Sequence, residues 1–348
     1  MNVPKIRFSN FSDDYIIKDV SEITSNISSG KISKQLEDGE YNVYGSMGII
    51  GKSNFYDYTG EKVLVARVGA NAGSVNKINE NCCISDNTLV LEPKDILNDY
   101  LYYSLSHYNP KKLIFGSGQP LVTGGQLKKV QLGIPCKEEQ AKVSNFLSLL
   151  DKKIELQSKK IEDLKLFKKG LLQKQYNYIK DKNLVELSYI ANIYQPQTIS
   201  QNKLDNGKYF VFGANGIIGK YSRYNHKQKQ ITISCRGENS GKVNITPEKC
   251  WITGNSMVLN TDNNYNVDKI YLKCVLDSQN LRYLISGSGQ PQITRNVILK
   301  HKIPLLPILE QKKFRNPFIK LDLKIHLEET KVNKLLDIKK GLMQDMFV

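Results

Sequence analysis

The sequence predicts an α+β (α/β) chain built twice over. Two β-rich globular units alternate with two long helices, and the helices pair as an antiparallel coiled coil about a pseudo-two-fold. Three observations carry this. A long internal repeat duplicates the chain, an apolar heptad runs through each of two helical segments, and short β-type runs punctuated by glycine fill the segments between. The boundaries fall at residues 1–136, 137–178, 179–307 and 308–348, in the order globular, helical, globular, helical.

The repeat is direct. Residues 116–176 align without a gap to residues 287–347 at a constant offset of 171, with 23 of 61 positions identical. The block Gly116-Ser117-Gly118-Gln119-Pro120 returns as Gly287-Ser288-Gly289-Gln290-Pro291, and Lys168-Lys169-Gly170-Leu171 returns as Lys339-Lys340-Gly341-Leu342. Upstream the match is weaker, at an offset of 168: Tyr44-Gly45-x-x-Gly48-Ile49-Ile50-Gly51-Lys52 returns as Phe212-Gly213-x-x-Gly216-Ile217-Ile218-Gly219-Lys220. Gly69-x-Asn71-x-Gly73 likewise returns as Gly237-x-Asn239-x-Gly241. A solenoid repeats every 20–50 residues or so, so this period means two copies of one domain-plus-helix module.

In each globular unit the β-branched runs read as strands: residues 62–67 and 88–91 in the first, 230–234 and 257–259 in the second. Apolar spacing predicts a short helix over residues 100–106 and another over 269–276.

Each helical segment, about 45–60 Å long at 1.5 Å per residue, carries a heptad seam. In the first it is Val143, Leu147, Leu150, Ile154, Gln157, Ile161, Leu164, Lys168 and Leu171. In the second it is Phe314, Phe318, Leu321, Ile325, Glu328, Val332, Leu335, Lys339 and Leu342. Both seams turn polar at the same two steps. Antiparallel pairing would set Gln157 opposite Glu328 at the centre, a polar pair that fixes register at some cost in stability. The plainer alternative packs each helix on its own globular unit. Pro317 should kink or restart the second helix, which puts Phe314 in question as a seam residue.

Composition bounds the function. Fifty Lys+Arg against 34 Asp+Glu give a net charge of +16, which suits a polyanion, most often nucleic acid; the plain alternative is a lysine-rich soluble protein. No stretch approaches about 18 uncharged apolar residues, so no membrane span is expected. Residues 1–11 lack the apolar region of a secretory signal. Six cysteines without C-x-x-C spacing read as free thiols in a reducing cytoplasm, and four scattered histidines offer no metal motif. Ser46-x-x-x-x-Gly51-Lys52-Ser53 approximates a P-loop but lacks its first glycine, and the second copy has Tyr221 where a magnesium-binding hydroxyl should stand. No catalytic triad, nuclease carboxylate cluster or methyltransferase tetrapeptide is evident.

The motifs have a family likeness. Gly116-Ser117-Gly118-Gln119-Pro120 leads to Ile134-Pro135-x-x-Glu138-Glu139-Gln140, then Phe146-Leu147-x-x-Leu150-Asp151-x-x-Ile154. The second copy gives Ile303-Pro304, Leu306-Pro307-x-x-Glu310-Gln311 and Leu321-Asp322-x-x-Ile325. In this duplicated order the chain resembles the DNA-specificity (S) subunit of type I restriction-modification systems over nearly its whole length. Asn316-Pro317 departs from the pattern, since the first copy has Asn145-Phe146 there.

The resemblance implies a non-catalytic cytoplasmic protein with two target-recognition domains, each reading one half of a split duplex-DNA target. It implies spacer helices that set the gap and dock two adenine-N6 methyltransferase subunits, with restriction subunits as further partners. S-adenosylmethionine, ATP and magnesium would belong to those partners, and this chain would hold no cofactor and no metal. A stand-alone DNA-binding regulator or scaffold of the same architecture is the alternative.

Candidate DNA contacts are Lys52, Arg67, Asn71, Lys77 and Gln119 in the first unit, and Lys220, Arg223, Arg236, Asn239, Lys242 and Gln290 in the second. Cations supply phosphate affinity, and amides near glycine turns can approach base edges. Each also has a plain reading, the amides as satisfiers of turn backbone and the arginines as strand-end supports. Candidate helix-pairing residues are Leu147, Leu150, Ile154, Gln157, Ile161 and Leu164 with Leu321, Ile325, Glu328, Val332 and Leu335.

Overall fold

The structure, a computed structural model, describes residues 3–32, 37–46, 48–115, 119–214, 216–286 and 292–348. The chain divides into two compact units. One comprises Met1–Ser158 with Thr330–Val348; the other is Lys159–Glu329.

In the first unit, strands β1 (Ile16–Asp19), β2 (Thr24–Ser29), β3 (Tyr41–Gly45), β4 (Gly48–Ser53), β5 (Glu61–Ala66), β6 (Val75–Asn79), β7 (Cys82–Ile84) and β8 (Thr88–Pro93) precede helix α1 (Asn98–Tyr108). The short helix α2 (Gly124–Lys128) and strand β9 (Gln131–Ile134) then lead into the long helix α3 (Lys137–Ile179). In the second unit the order is β10 (Leu184–Glu186), α4 (Leu187–Ile190), β11 (Asn192–Tyr194), β12 (Tyr209–Gly213), β13 (Gly216–Tyr221), β14 (Ile231–Ser234), β15 (Val243–Ile245), β16 (Trp251–Ile252) and β17 (Ser256–Asn260). Helices α5 (Lys269–Gln279) and α6 (Arg295–Leu299), strand β18 (Lys302–Pro304) and the long helix α7 (Ile308–Met346) follow.

The sheets repeat the sequence repeat. The first unit has a four-stranded sheet β2-β8-β5-β6, a three-stranded sheet β4-β3-β7 and the pair β1-β9. The second has β11-β17-β14-β15, β13-β12-β16 and β10-β18. Each three-stranded sheet joins an antiparallel hairpin to one parallel strand, and each hairpin bulges at the same place, between Val43 and Tyr44 or between Val211 and Phe212. The predicted strands and both short helices appear here as β5, β8, β14, β17, α1 and α5.

Each core forms where α1 or α5 covers the four-stranded sheet. In the first unit Val63, Val65, Leu89 and Leu91 pack with Tyr100, Leu101 and Leu105; in the second, Ile231, Ile233, Met257 and Leu259 pack with Tyr271, Leu272 and Val275. The glutamines of the two Glu-Gln motifs tie the long helices to these cores. Gln140 donates to the Pro135 carbonyl and accepts from the Leu97 amide, at 2.9 and 3.0 Å. Gln311 donates to the carbonyls of Leu306 and Asn266 and accepts from the Asp268 amide, at 2.7–2.8 Å. Both side chains are buried, so each satisfies backbone groups that water cannot reach. In the first unit buried Glu139 also takes a two-pronged ion pair from Arg7 and a hydrogen bond from Tyr15, which fastens the N-terminal segment to α3.

Within each unit a stretch of α3 lies antiparallel to a stretch of α7. In the first, Val143 and Leu147 share a core with Leu342, Met346 and Phe347, and Asp151 pairs with Lys339. In the second, Lys160 pairs with Glu328 (2.8 Å), Lys168 with Asp322, and Leu171 and Leu172 share a core with Phe314 and Phe318. Numbers rise along α3 as they fall along α7. All of the seam positions are buried or half-buried, including Leu150, Ile154, Gln157, Ile161, Leu164, Leu321, Ile325, Val332 and Leu335. Gln157 belongs to the first unit and Glu328 to the second, where Glu328 takes Lys160. The helix ends also pack on the globular cores, so pairing and docking on the domain coexist.

Pro317 corrects the expectation of a restart. Helix α7 runs through it without a break, and both Phe314 and Phe318 are buried. A proline inside a helix costs about 3 kcal/mol. Burying two phenylalanines beside it offsets that, at about 2–3 kcal/mol each.

Candidate nucleic-acid interface

The two hairpins hold the most regular candidate surface. β3 and β4 close at a Gly45–Gly48 pair, and β12 and β13 at a Gly213–Gly216 pair. Gly48 has φ 118° and Gly216 has φ 119°, a backbone that a side chain would strain. The tips present exposed Ile49 and Ile50 in one copy, Ile217 and Ile218 in the other. The P-loop-like stretch therefore lies in a hairpin. A strand, β4, stands where a phosphate-binding helix would have to start.

The matching lysines have different surroundings. The Lys52 ammonium donates to Asn42 Oδ1 at 2.8 Å, and Asn42 Nδ2 donates to Glu80 Oε1 at 2.9 Å. Tyr44 also donates to Glu80. The hydrogen bonds from Asn42 and Tyr44 hold the Glu80 carboxyl below its usual range, with nearby Lys52 adding to the effect. In the second copy Phe210 and Phe212 replace Asn42 and Tyr44. Lys220 is exposed there, 5.8 Å from the Phe210 ring centroid, and Arg223 is exposed two residues beyond the end of β13.

A second cluster forms at the glycine turns. Arg67 is held by its backbone, donating to the Asn87 carbonyl and accepting from the Val122 amide. The Asn71 carbonyl accepts from Ser74, and Gly69 donates to the Pro120 carbonyl, which brings exposed Gln119 beside this turn. The second copy repeats it. The Asn239 carbonyl accepts from Lys242, whose side chain is exposed, and exposed Arg236 bridges to Gln292. Gln290 lies outside the described residues, as does most of the Gly-Ser-Gly-Gln-Pro block in both copies.

Lys77 stands apart. It forms an ion pair with Asp99 of α1 at 2.6 Å, and its ammonium lies 5.3 and 5.5 Å from the ring centroids of Tyr102 and Tyr103. Its charge is met inside its own domain.

Five neighbours of the second hairpin escaped the sequence reading. Lys203, Lys208 and Lys227 are exposed, as are Phe210 and Tyr224, and Tyr224 packs edge-on against Tyr209 at 4.9 Å. Counting charge by domain would have found the cations. Residues 179–307 carry 17 Lys+Arg against 8 Asp+Glu, whereas residues 1–136 carry 14 of each. Among the described residues no group of three or more His, Cys, Asp or Glu could hold a metal ion, and no helix is long and apolar enough to cross a membrane. All six cysteines are free thiols, five of them buried.

The sequence matches the type I restriction modification DNA specificity domain family twice, over residues 12–166 and 179–337. A Mycoplasma pneumoniae protein named "Putative type I specificity subunit" is 29 % identical over 205 residues, 53 % of this chain, and the chain spans 65 % of that relative's length. The type I restriction enzyme MjaVIII specificity subunit of Methanocaldococcus jannaschii is 24 % identical over 330 residues, covering 81 % of this chain and 77 % of the relative. The crystal structure of an S subunit from M. genitalium superposes with a TM-score of 0.68 at 18 % identity, covering 99 % of both chains. A chain from a solved type I restriction-modification system gives 0.57 at 13 % identity, covering 94 % of this chain and 96 % of its own. With two matched domains spanning most of its length, the chain belongs to the type I restriction modification DNA specificity family.

Proposed function

We propose that this chain directs a type I restriction-modification complex to a bipartite duplex-DNA target, each recognition domain reading one half. The paired helices act as the ruler between the halves and dock two adenine-N6 methyltransferase subunits, with restriction subunits joining for cleavage. Catalysis, and with it S-adenosylmethionine, ATP and magnesium, resides in those partners, and the complex works in the cytoplasm. The observation that carries this is the duplication itself. One sheet topology occurs twice on one chain, each copy fastened to its own stretches of two long helices. Two similar but non-identical readers on a helical spacer suit an asymmetric split site whose gap is set by helix length.

Docking of large partners is supported by apolar side chains on the outer faces of the helices. Leu149 is 68 % exposed and Leu156 59 % on α3; Leu323 is 59 % and Leu327 60 % on α7. Such runs on a monomer's surface mark interaction sites.

Single-molecule methylation mapping of host DNA, with and without the gene, tests the proposal. Deletion is expected to remove N6-methyladenine from one split motif and leave other motifs intact. A methylome unchanged by deletion, in a host where the methyltransferase is expressed, overturns it.

A further inference from the structure

We infer that the two recognition domains hold DNA by different physics: the β12–β13 hairpin of the second clamps the phosphate backbone, and the matching β3–β4 hairpin of the first does not. This rests on the DNA-binding reading above and deepens it.

The framework is the same in both copies. Beyond the shared bulge and tip glycine, the chain entering each hairpin passes at close range behind its second strand. A Cβ on Gly39 would lie 2.7 Å from the Ser53 backbone, and one on Gly207 would lie 2.2 Å from that of Tyr221. Against this constant backbone the charge reverses. Residues 203–229 carry Lys203, Lys208, Lys220, Arg223, Lys227 and Lys229 against a single acid, Asp205. The aligned residues 35–61 carry one cation, Lys52, against Glu37, Asp38, Glu40, Asp57 and Glu61. Where the first copy has Glu40 the second has Lys208, and where it has Phe55 the second has Arg223.

The second set is gathered by the fold. The Asp205 backbone amide donates to the Lys220 carbonyl, and Tyr209 faces Tyr221 across the ladder, which brings Lys203, Lys208, Lys220 and Arg223 to one sheet edge. All six cations are exposed, and among the described residues none has a carboxylate within ion-pair distance. Exposed Phe210 and Tyr224 lie among them. Unpaired cations interleaved with aromatic rings on a regular backbone suit a polyphosphate chain. In the first copy Glu37, Asp38 and Glu40 are exposed at the same edge and would repel it, and Lys52 is already engaged by Asn42.

The test is fluorescence anisotropy of the full chain with a labelled 40-base-pair duplex of random sequence, from 50 to 200 mM KCl. One variant is Lys203→Glu/Lys208→Glu/Arg223→Glu/Lys227→Glu; its mirror is Glu37→Lys/Asp38→Lys/Glu40→Lys. All seven positions are exposed, and the fluorescence of Trp251, the chain's single tryptophan, which packs on Tyr221 in the second hairpin sheet, checks that this sheet is intact. The first variant is expected to lower the slope of log affinity against log salt by about 3 to 4, at about 0.9 for each phosphate no longer neutralised. The mirror variant replaces three repelling acids with cations on the same backbone and is expected to steepen that slope by about 2 to 3. An unchanged slope in the first variant, or a mirror variant that leaves the slope unaltered, overturns the charge asymmetry while DNA binding stands. Failure of the unmodified chain to bind the duplex at 50 mM KCl overturns both readings.

Discussion

The β3–β4 and β12–β13 hairpins share a register, a bulge, a Gly-Ile-Ile-Gly-Lys tip and a glycine of nearly equal φ, yet they have almost opposite surfaces. What stayed constant between the copies is what the backbone requires. What diverged is what faces outward. Lys52 and Lys220 occupy one position in the repeat, but Lys52 is the outer member of a hydrogen-bonded chain through Asn42 to Glu80, whereas Lys220 lies over a phenylalanine ring in open solvent. A residue shared by two copies therefore need not share a role.

The largest effect should come from breaking the common framework. Gly207→Ala drives a Cβ into backbone atoms at 2.2–2.4 Å, and Gly39→Ala does the same at 2.7–2.8 Å. Backbone cannot swing aside as a flexible side-chain end can, so both should destabilise, by about 3 kcal/mol at Gly207 and about 2 kcal/mol at Gly39. Urea unfolding followed by Trp251 fluorescence reads the first, and hydrogen exchange in β3 and β4 reads the second. Equal tolerance of alanine at both sites would mean that the framework is looser than these close approaches indicate.

A smaller effect separates the two lysines. Lys220→Ala should lower the salt slope of duplex binding by about 0.9, the equivalent of one phosphate. Lys52→Ala should leave that slope unchanged and instead loosen β3 and β4, because it releases Asn42. An equal drop in slope for the two variants would place both lysines on the DNA.

The architecture was legible because its signals are periodic and duplicated. The seam from Val143 to Leu171 marked the buried stripe of α3, and the repeat doubled every inference. Pro317 misled because the local cost of a proline is written in the sequence, whereas the burial of Phe314 and Phe318 that outweighs it depends on packing partners far along the chain. The Glu-Gln motif was recognised as a family mark, but its physical work was invisible. Gln140 and Gln311 stitch helix starts to loops 43 and 45 residues away in sequence. The candidate interface was legible in part. Arg67, Asn71 and Gln119 do gather at one turn, but Lys77 is drawn into α1 by Asp99, a pairing that no spacing rule announces. The cations around the second hairpin were hidden by counting charge over the whole chain, where the neutral first domain dilutes them.

The same contrast should appear in acid. Hydrogen bonds from Asn42 and Tyr44 hold the folded Glu80 pKa below the usual carboxylate value of 4.5. A carboxyl with a depressed folded pKa stabilises the native state fully above its unfolded pKa, and the gain is lost as pH falls through the folded value. Glu80→Gln should therefore lower stability by about 1 kcal/mol near pH 7, allowing for solvent screening of a half-exposed group. The gap between the two proteins should narrow below about pH 4.5. Thermal unfolding of both proteins from pH 7 down to pH 3.5 measures it. The second hairpin has Phe210 and Phe212 in place of Asn42 and Tyr44, so putting those phenylalanines into the first, as Asn42→Phe/Tyr44→Phe, should remove the donors to Glu80 and with them the same acid-sensitive part of the stability. If Glu80→Gln left the profile unaltered, the Glu80 network would not be what distinguishes the first hairpin, and Lys52 would have to be counted again among the groups open to DNA.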